Sequence, residues 1–177
     1  MKTAKSKKRI KIVSALLLAA VAVCAAAAVW ANAYKAPFYK MEKTYEKGNV
    51  DYMMEAIAPM SDVFGRAIGK DTEEQFRTSF ENKIEEISAQ CGDNIRVHTD
   101  FLKVDKLAKA QRTVFIDKIE EYCEISLASE RIGRIYVVSI RMTAEGDKGS
   151  EELENGSFYV AEYNGKWGVI WIDNLGE

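Results

Sequence analysis

An α+β domain spanning residues 34–177, set behind one N-terminal apolar helix, is the fold class that this sequence predicts. Three observations predict it. Residues 12–33 carry no charge at all, after six cations and no acid in the first eleven positions. From Ala36 to Cys91 apolar side chains recur at helical spacings, whereas from Ile95 onward, apart from one crossover helix, they alternate with the period of strands. Finally, Tyr163-Asn164-Gly165-Lys166 is a two-residue hairpin turn between two such alternating runs.

The N-terminal element divides into a basic segment, residues 1–11, and a transmembrane anchor or signal peptide, residues 12–33. A helix through a bilayer needs about 20 apolar residues. Ile12 to Ala31 supplies them, with Trp30 at an interfacial position. Against retention, Ala31-Asn32-Ala33 offers the small residues that a signal peptidase reads, which would place cleavage after Ala33. Lipidation at Cys24 fits poorly, because Val23 is not the small residue a lipobox wants. Anchored at the cell membrane as a single-pass protein or secreted, the chain exports residues 34–177, since the Lys/Arg-rich flank stays cytoplasmic. Six of the 25 Lys and Arg precede Ala33, so the exported part holds 19 cations against 27 acids, a net charge of −8. Such a domain does not favour nucleic acid or anionic lipid, whose binding relies on Lys and Arg.

Three helices are expected next. APFYKMEKTYEKG sets Pro37 in the first turn, Phe38, Met41 and Tyr45 on one stripe, and Gly48 at the stop. NVDYMMEAIAPM offers Asn49 as cap, an apolar face of Met53, Met54 and Ile57, and Pro59 as the closing residue. In DTEEQFRTSFENKIEEISAQCG, Asp71 and Glu74 form a capping box, Phe76, Phe80, Ile84, Ile87 and Cys91 form the stripe, and Gly92 ends the helix.

The strands follow. NIRVHTDFLKV places Ile95, Val97, Thr99 and Phe101 on one side. A crossover helix capped by Asp105 would bury Leu107, Val114, Phe115, Ile119 and Tyr122. RIGRIYVVSIRMTA and EELENGSFYVAEY are then joined through EGDKGS, and KWGVIWID closes the sheet. The Asn-Gly turn dictates register. It sets Phe158 against Trp171, Val160 against Val169 and Glu162 against Trp167 on one face, with Tyr159 against Ile170 and Ala161 against Gly168 on the other.

This order of elements resembles the nuclear transport factor 2-like (cystatin-like) superfamily, in particular its small bacterial membrane-anchored or secreted members. The resemblance covers roughly Ala36 to Asn174 and rests on KTYEKGNVDYMMEAIAP, SAQCGDNIRV and NGKWGVI. It implies N-terminal helices packed on a curved antiparallel sheet of about four strands, a cystatin-like cone. It also implies a mouth suited to a small apolar ligand, and pairing of two copies through the open sheet face. Enzymes of that superfamily, isomerases and dehydratases, use Asp, His or Tyr inside the cone. The only histidine of this chain, His98, has the opposite parity to Ile95, Val97 and Phe101 and is expected to face away from them.

The chemistry is sparse. Glu162 with Tyr159, Tyr163, Trp167 and Trp171 forms the ligand-pocket candidate, because a carboxylate beside aromatic rings can have a raised pKa. Cys91 and Cys123, the exported thiols, either form a disulfide or fill core space separately. The acidic pairs Glu73-Glu74, Glu85-Glu86, Glu120-Glu121 and Glu151-Glu152 lack the rhythm of a calcium loop and read as solvated faces. No nucleotide-binding or hydrolase motif occurs, no cofactor or metal is implied, and no catalytic residue is assigned.

Three functions follow as expectations: a non-catalytic binding or interaction module outside the cytoplasmic membrane; a small-molecule pocket, as an apolar-ligand carrier or as an isomerase or dehydratase using Glu162; and a structural part of an envelope complex, in which the small residues of AAAAVWA would let helices approach.

Overall fold

The computed structural model describes residues 20–64, 70–123 and 132–170, with the side chains of 58–64, 70–73 and 122–123 outside that description. The chain divides into two compact units, Met1–Ala33 and Tyr34–Glu177. In the first, residues 20–31 form a helix, α1. Asn32 ends it by donating to the Ala28 carbonyl from both its backbone nitrogen, at 3.1 Å, and its side-chain Nδ2, at 2.9 Å. Among the described residues no helix is long and apolar enough to cross a membrane; residues 12–19 of the uncharged run lie outside them.

A 3-10 turn, Ala33–Lys35, leads into α2 of the second unit, Ala36–Lys47. Its proline is in the first turn, as expected, where the missing N–H is no loss. Phe38, Met41 and Tyr45 are all buried, and Gly48 ends the helix at φ 60°, the left-handed conformation that glycine adopts without strain. Asn49 then caps α3, Asp51–Phe64: its Oδ1 accepts from the Asp51 amide at 2.8 Å, a contact worth ~1 kcal/mol.

Pro59 does not close α3, which continues to Phe64. A proline inside a helix leaves the carbonyl four residues earlier without its N–H partner. That carbonyl belongs to Glu55, and Lys40 Nζ from α2 reaches it at 3.4 Å while pairing with the Glu55 carboxylate at 3.1 Å.

α4 spans Lys70–Cys91, so Asp71 lies inside the helix rather than at its cap. The expected stripe holds: Phe80, Ile87 and Cys91 are buried, and Phe76 and Ile84 pack against the same core. Gly92 at φ 81° follows. The end of α4 is closed by the distant loop at Gly146–Gly149, where the Lys148 amide donates to the Cys91 carbonyl at 2.8 Å and Asn94 Nδ2 donates to Asp147 Oδ2 at 2.9 Å.

The sheet is a four-stranded antiparallel meander in the order β1-β2-β3-β4: Arg96–Lys106, Ile132–Glu145, Ser150–Tyr163 and Lys166–Ile170. Its final hairpin has the register read from the sequence, with Tyr159 opposite Ile170, Val160 opposite Val169, Ala161 opposite Gly168 and Glu162 opposite Trp167. Asn164 and Gly165 have φ of 49° and 76°, the two consecutive positive values of a type I′ turn. The partner expected for Phe158, Trp171, lies outside the described residues.

One face of the sheet packs on α2, α3 and α4 through Val97, Phe101, Val104, Val138, Ile140, Met142, Ala144, Val160 and Val169. The other is covered at one end by α5, Lys109–Cys123, in a second core of Phe115, Ile116, Ile119, Ile132, Ile135, Ala161 and Ile170. Two details of α5 differ from expectation. Asp105 is not its cap, because β1 continues through Lys106 and the Leu107 amide still donates to Ile135; Gln111 Oε1 instead accepts from the Ala108 amide at 3.0 Å. Phe115 and Ile119 are buried and Leu107 packs against them, as expected, but Ile116 joins them and Val114 is exposed.

Candidate functional site

Three interruptions in strand pairing decide which polar groups reach the helix-covered face. In β2, one extra residue between Ile132 and Ile135 stands opposite Glu162. Such a bulge re-aims a side chain. It brings Arg134 onto Glu162, with Nε donating to Oε2 at 2.9 Å, and sets its guanidinium 4.8 Å from the centre of the Trp167 ring. Trp167 in turn lies 5.6 Å from the Tyr136 ring. Gly133 is needed here for space: a Cβ would sit 2.9 Å from Glu162 Oε2 and 3.3 Å from its Cβ.

The five residues of the expected pocket are therefore not one cluster. Glu162 and Trp167 share the face of α2, α3 and α4 with Arg134 and Tyr136, whereas Tyr159 and Tyr163 belong to the α5 core, where Tyr159 stacks on Phe115 at 4.2 Å. Successive residues of a strand point to opposite faces, which is why adjacency in sequence misleads. Trp171 lies outside the described residues. Glu162 is not a carboxylate among rings alone. It is an ion-paired one, its side chain 24% exposed beside an Arg134 that is 12% exposed.

The second interruption lies in β3, where Met142 pairs with Glu154 and Thr143 with Glu152, leaving Leu153 as the extra residue. Leu153 enters the core and Glu154 is also largely buried. Burial pushes the Glu154 carboxyl above the ordinary carboxylate range, opposed by Lys83, whose Nζ lies 3.3 Å from Oε1 and donates to the Leu153 carbonyl at 2.9 Å. The same burial, with the Glu154 charge nearby, drives the Tyr45 phenol strongly upward, so it is a neutral hydroxyl at every physiological pH. Thr99 pairs with Met142, which pairs with Glu154, so these residues form one row across the sheet. The Tyr45 hydroxyl and Thr99 Oγ1 are both buried and find no hydrogen-bond partner among the described residues. Sequence alone did not single out this row: the signal was a bulge, and bulges have no composition signature.

The third interruption, in β1, leaves Leu102 between Phe101, opposite Ile140, and Lys103, opposite Ser139. It keeps both Phe101 and Val104 against the core. Around Phe101 gather Tyr34 at 6.4 Å, Phe38 at 5.5 Å and Tyr39 at 6.3 Å, with Lys35 Nζ 4.6 Å over its ring.

His98 faces away from the core as its parity implied; its side chain is 80% exposed and Nε2 lies 3.1 Å from Asp100 Oδ1. Cys91 is a buried free thiol, raised in pKa first by burial and then by Glu151, and its Sγ lies 4.0 Å from the Ala144 carbonyl. The side chain of Cys123, its expected partner, lies outside the description. Glu85, Glu86, Glu151 and Glu152 are exposed, and among the described residues no three His, Cys, Asp or Glu side chains converge as a metal site would require.

No family model, no curated protein and no solved structure matches this chain.

Proposed function

We propose that this chain is a membrane-anchored, non-catalytic binding or interaction domain of the nuclear transport factor 2-like (cystatin-like) type, held outside the cytoplasm by residues 12–33. The observation that carries the non-catalytic part is the commitment of Glu162 to Arg134. A general base needs a free lone pair within reach of a substrate proton. Here one oxygen of the candidate carboxylate, Oε2, is already engaged by a guanidinium that is itself packed on Trp167. The core on the same side of the sheet holds Phe38, Met41, Tyr45, Met53 and Met142, all fully buried. The uncharged run behind a cationic head supports the anchor.

The test is Glu162→Gln in the full-length protein, scored for fold and for the phenotype of a deletion strain. A non-catalytic domain keeps its function in the folded variant. Complete loss of function with unchanged folding would move the assignment to an enzyme.

A second reading, a small-molecule pocket, is favoured by the buried hydroxyls of Tyr45 on α2 and Thr99 on β1, since two such groups without partners among the described residues suit a ligand that both donates and accepts hydrogen bonds. Native mass spectrometry of the purified full chain separates the two: a stoichiometric adduct, lost in Tyr45→Phe, supports the pocket.

A further inference from the structure

Among the described residues of the second unit, the large apolar side chains that are exposed are Tyr39 at 49%, Leu102 at 56% and Val114 at 57%. Two of these three adjoin Phe101. The Tyr39 ring lies 6.3 Å from that of Phe101, and Leu102 is the next residue, at the bulge of an edge strand. A regular strand would have turned Lys103 inward after Phe101; the bulge instead keeps Val104 in the core and leaves Leu102 out. Single exposed apolar residues need no explanation, but an exposed tyrosine and an exposed leucine that both adjoin one ring do.

The surroundings specify the occupant. Lys35 extends over Phe101 with its ammonium 4.6 Å from the ring; on the strand of Phe101, Lys106 is exposed and Lys103 is paired with Asp105 at 2.6 Å. Tyrosine, leucine and lysine together suit a bilayer interface, where rings sit at headgroup level and ammonium groups reach phosphates. Chain connectivity agrees. Lys35 follows the uncharged run's Ala31 by four residues, roughly 14 Å of fully extended backbone at most. Tyr34, one residue earlier, is held on the domain by Tyr136 at 5.1 Å and by Phe101. The place where the chain joins the domain is thus the place where apolar side chains are exposed.

We propose that the patch of Lys35, Tyr39 and Leu102 rests in the lipid interface and seats the domain against the bilayer. This rests on the reading of residues 12–33 as a membrane anchor. The net charge of −8 beyond Ala33 makes the contact one of apolar insertion rather than of attraction to anionic lipid, so zwitterionic lipid suffices.

The experiment uses the full chain in phosphatidylcholine vesicles, with p-benzoylphenylalanine replacing Tyr39, Leu102 or, as an equally exposed control, Val114. After irradiation, mass spectrometry reads lipid adducts, and flotation after alkaline washing reads anchoring. The expected result is flotation of all three chains and lipid adducts several-fold more abundant at positions 39 and 102 than at 114. Flotation with adducts no more abundant than at 114, or with cross-links to a second copy of the chain, overturns the seating alone and leaves the anchor. Failure to float overturns both.

Discussion

Arg134 donates from Nε to Oε2 of Glu162 at 2.9 Å while its guanidinium plane covers Trp167, so one side chain neutralises a carboxylate and shields an indole. Removing either end has unequal effects. Glu162→Gln keeps shape and one acceptor, and should cost about 1 kcal/mol. Arg134→Ala strands a mostly buried carboxylate and uncovers the ring, and should cost roughly 2–3 kcal/mol. Denaturant unfolding of both variants and their double mutant measures the coupling; losses that simply add in the double mutant would contradict the pairing.

Gly133 and Gly146 are tight for different reasons. At Gly146 a Cβ would lie 2.4 Å from the backbone oxygen of Cys91, which cannot move without loosening the closed end of α4. Gly146→Ala should therefore lose about 1–3 kcal/mol, whereas Gly149→Ala, 4.0 Å from its nearest neighbour, should be nearly neutral. Thermal melts of the two decide it.

The pH dependence follows from Glu154. Its carboxyl is raised in the folded chain, first by burial, so the folded state binds this proton more tightly than the unfolded state does. The contribution of Glu154 is greatest below the ordinary carboxylate range and falls as pH rises through the window from there to its raised value. Wild type minus Glu154→Gln, measured as unfolding free energy against pH, should slope downward in that window. A flat or rising difference would show that Lys83 outweighs burial.

Gly165 at φ 76° closes the last hairpin, and Gly165→Ala should destabilise by roughly 1–2 kcal/mol without moving the register of Val160 on Val169. Amide exchange of β4 reports both. A shifted register would mean that the turn does not set the pairing.

That hairpin was legible in advance because its information is local: Asn-Gly demands two positive φ values, and alternation does the rest. The stripes of α2 and α4 were legible for the same reason. What escaped was whatever depends on residues far apart in the chain. Pro59 is carried within α3 by Lys40 from another helix, and the bulges beside Glu162, Glu154 and Leu102 exist only where strands pair. The division of Tyr159 from Trp167 was implicit in their parity, but the α5 core that covers the second face could not be placed without the fold.

The most direct measurement is the N-terminal residue of the native protein taken from a washed membrane fraction, with protease added from outside to intact cells. An anchored external domain predicts an intact Lys-rich head and digestion of residues beyond Tyr34 from outside. A mature chain that starts at Tyr34 in the medium, or a domain protected until the cells are lysed, would contradict the account.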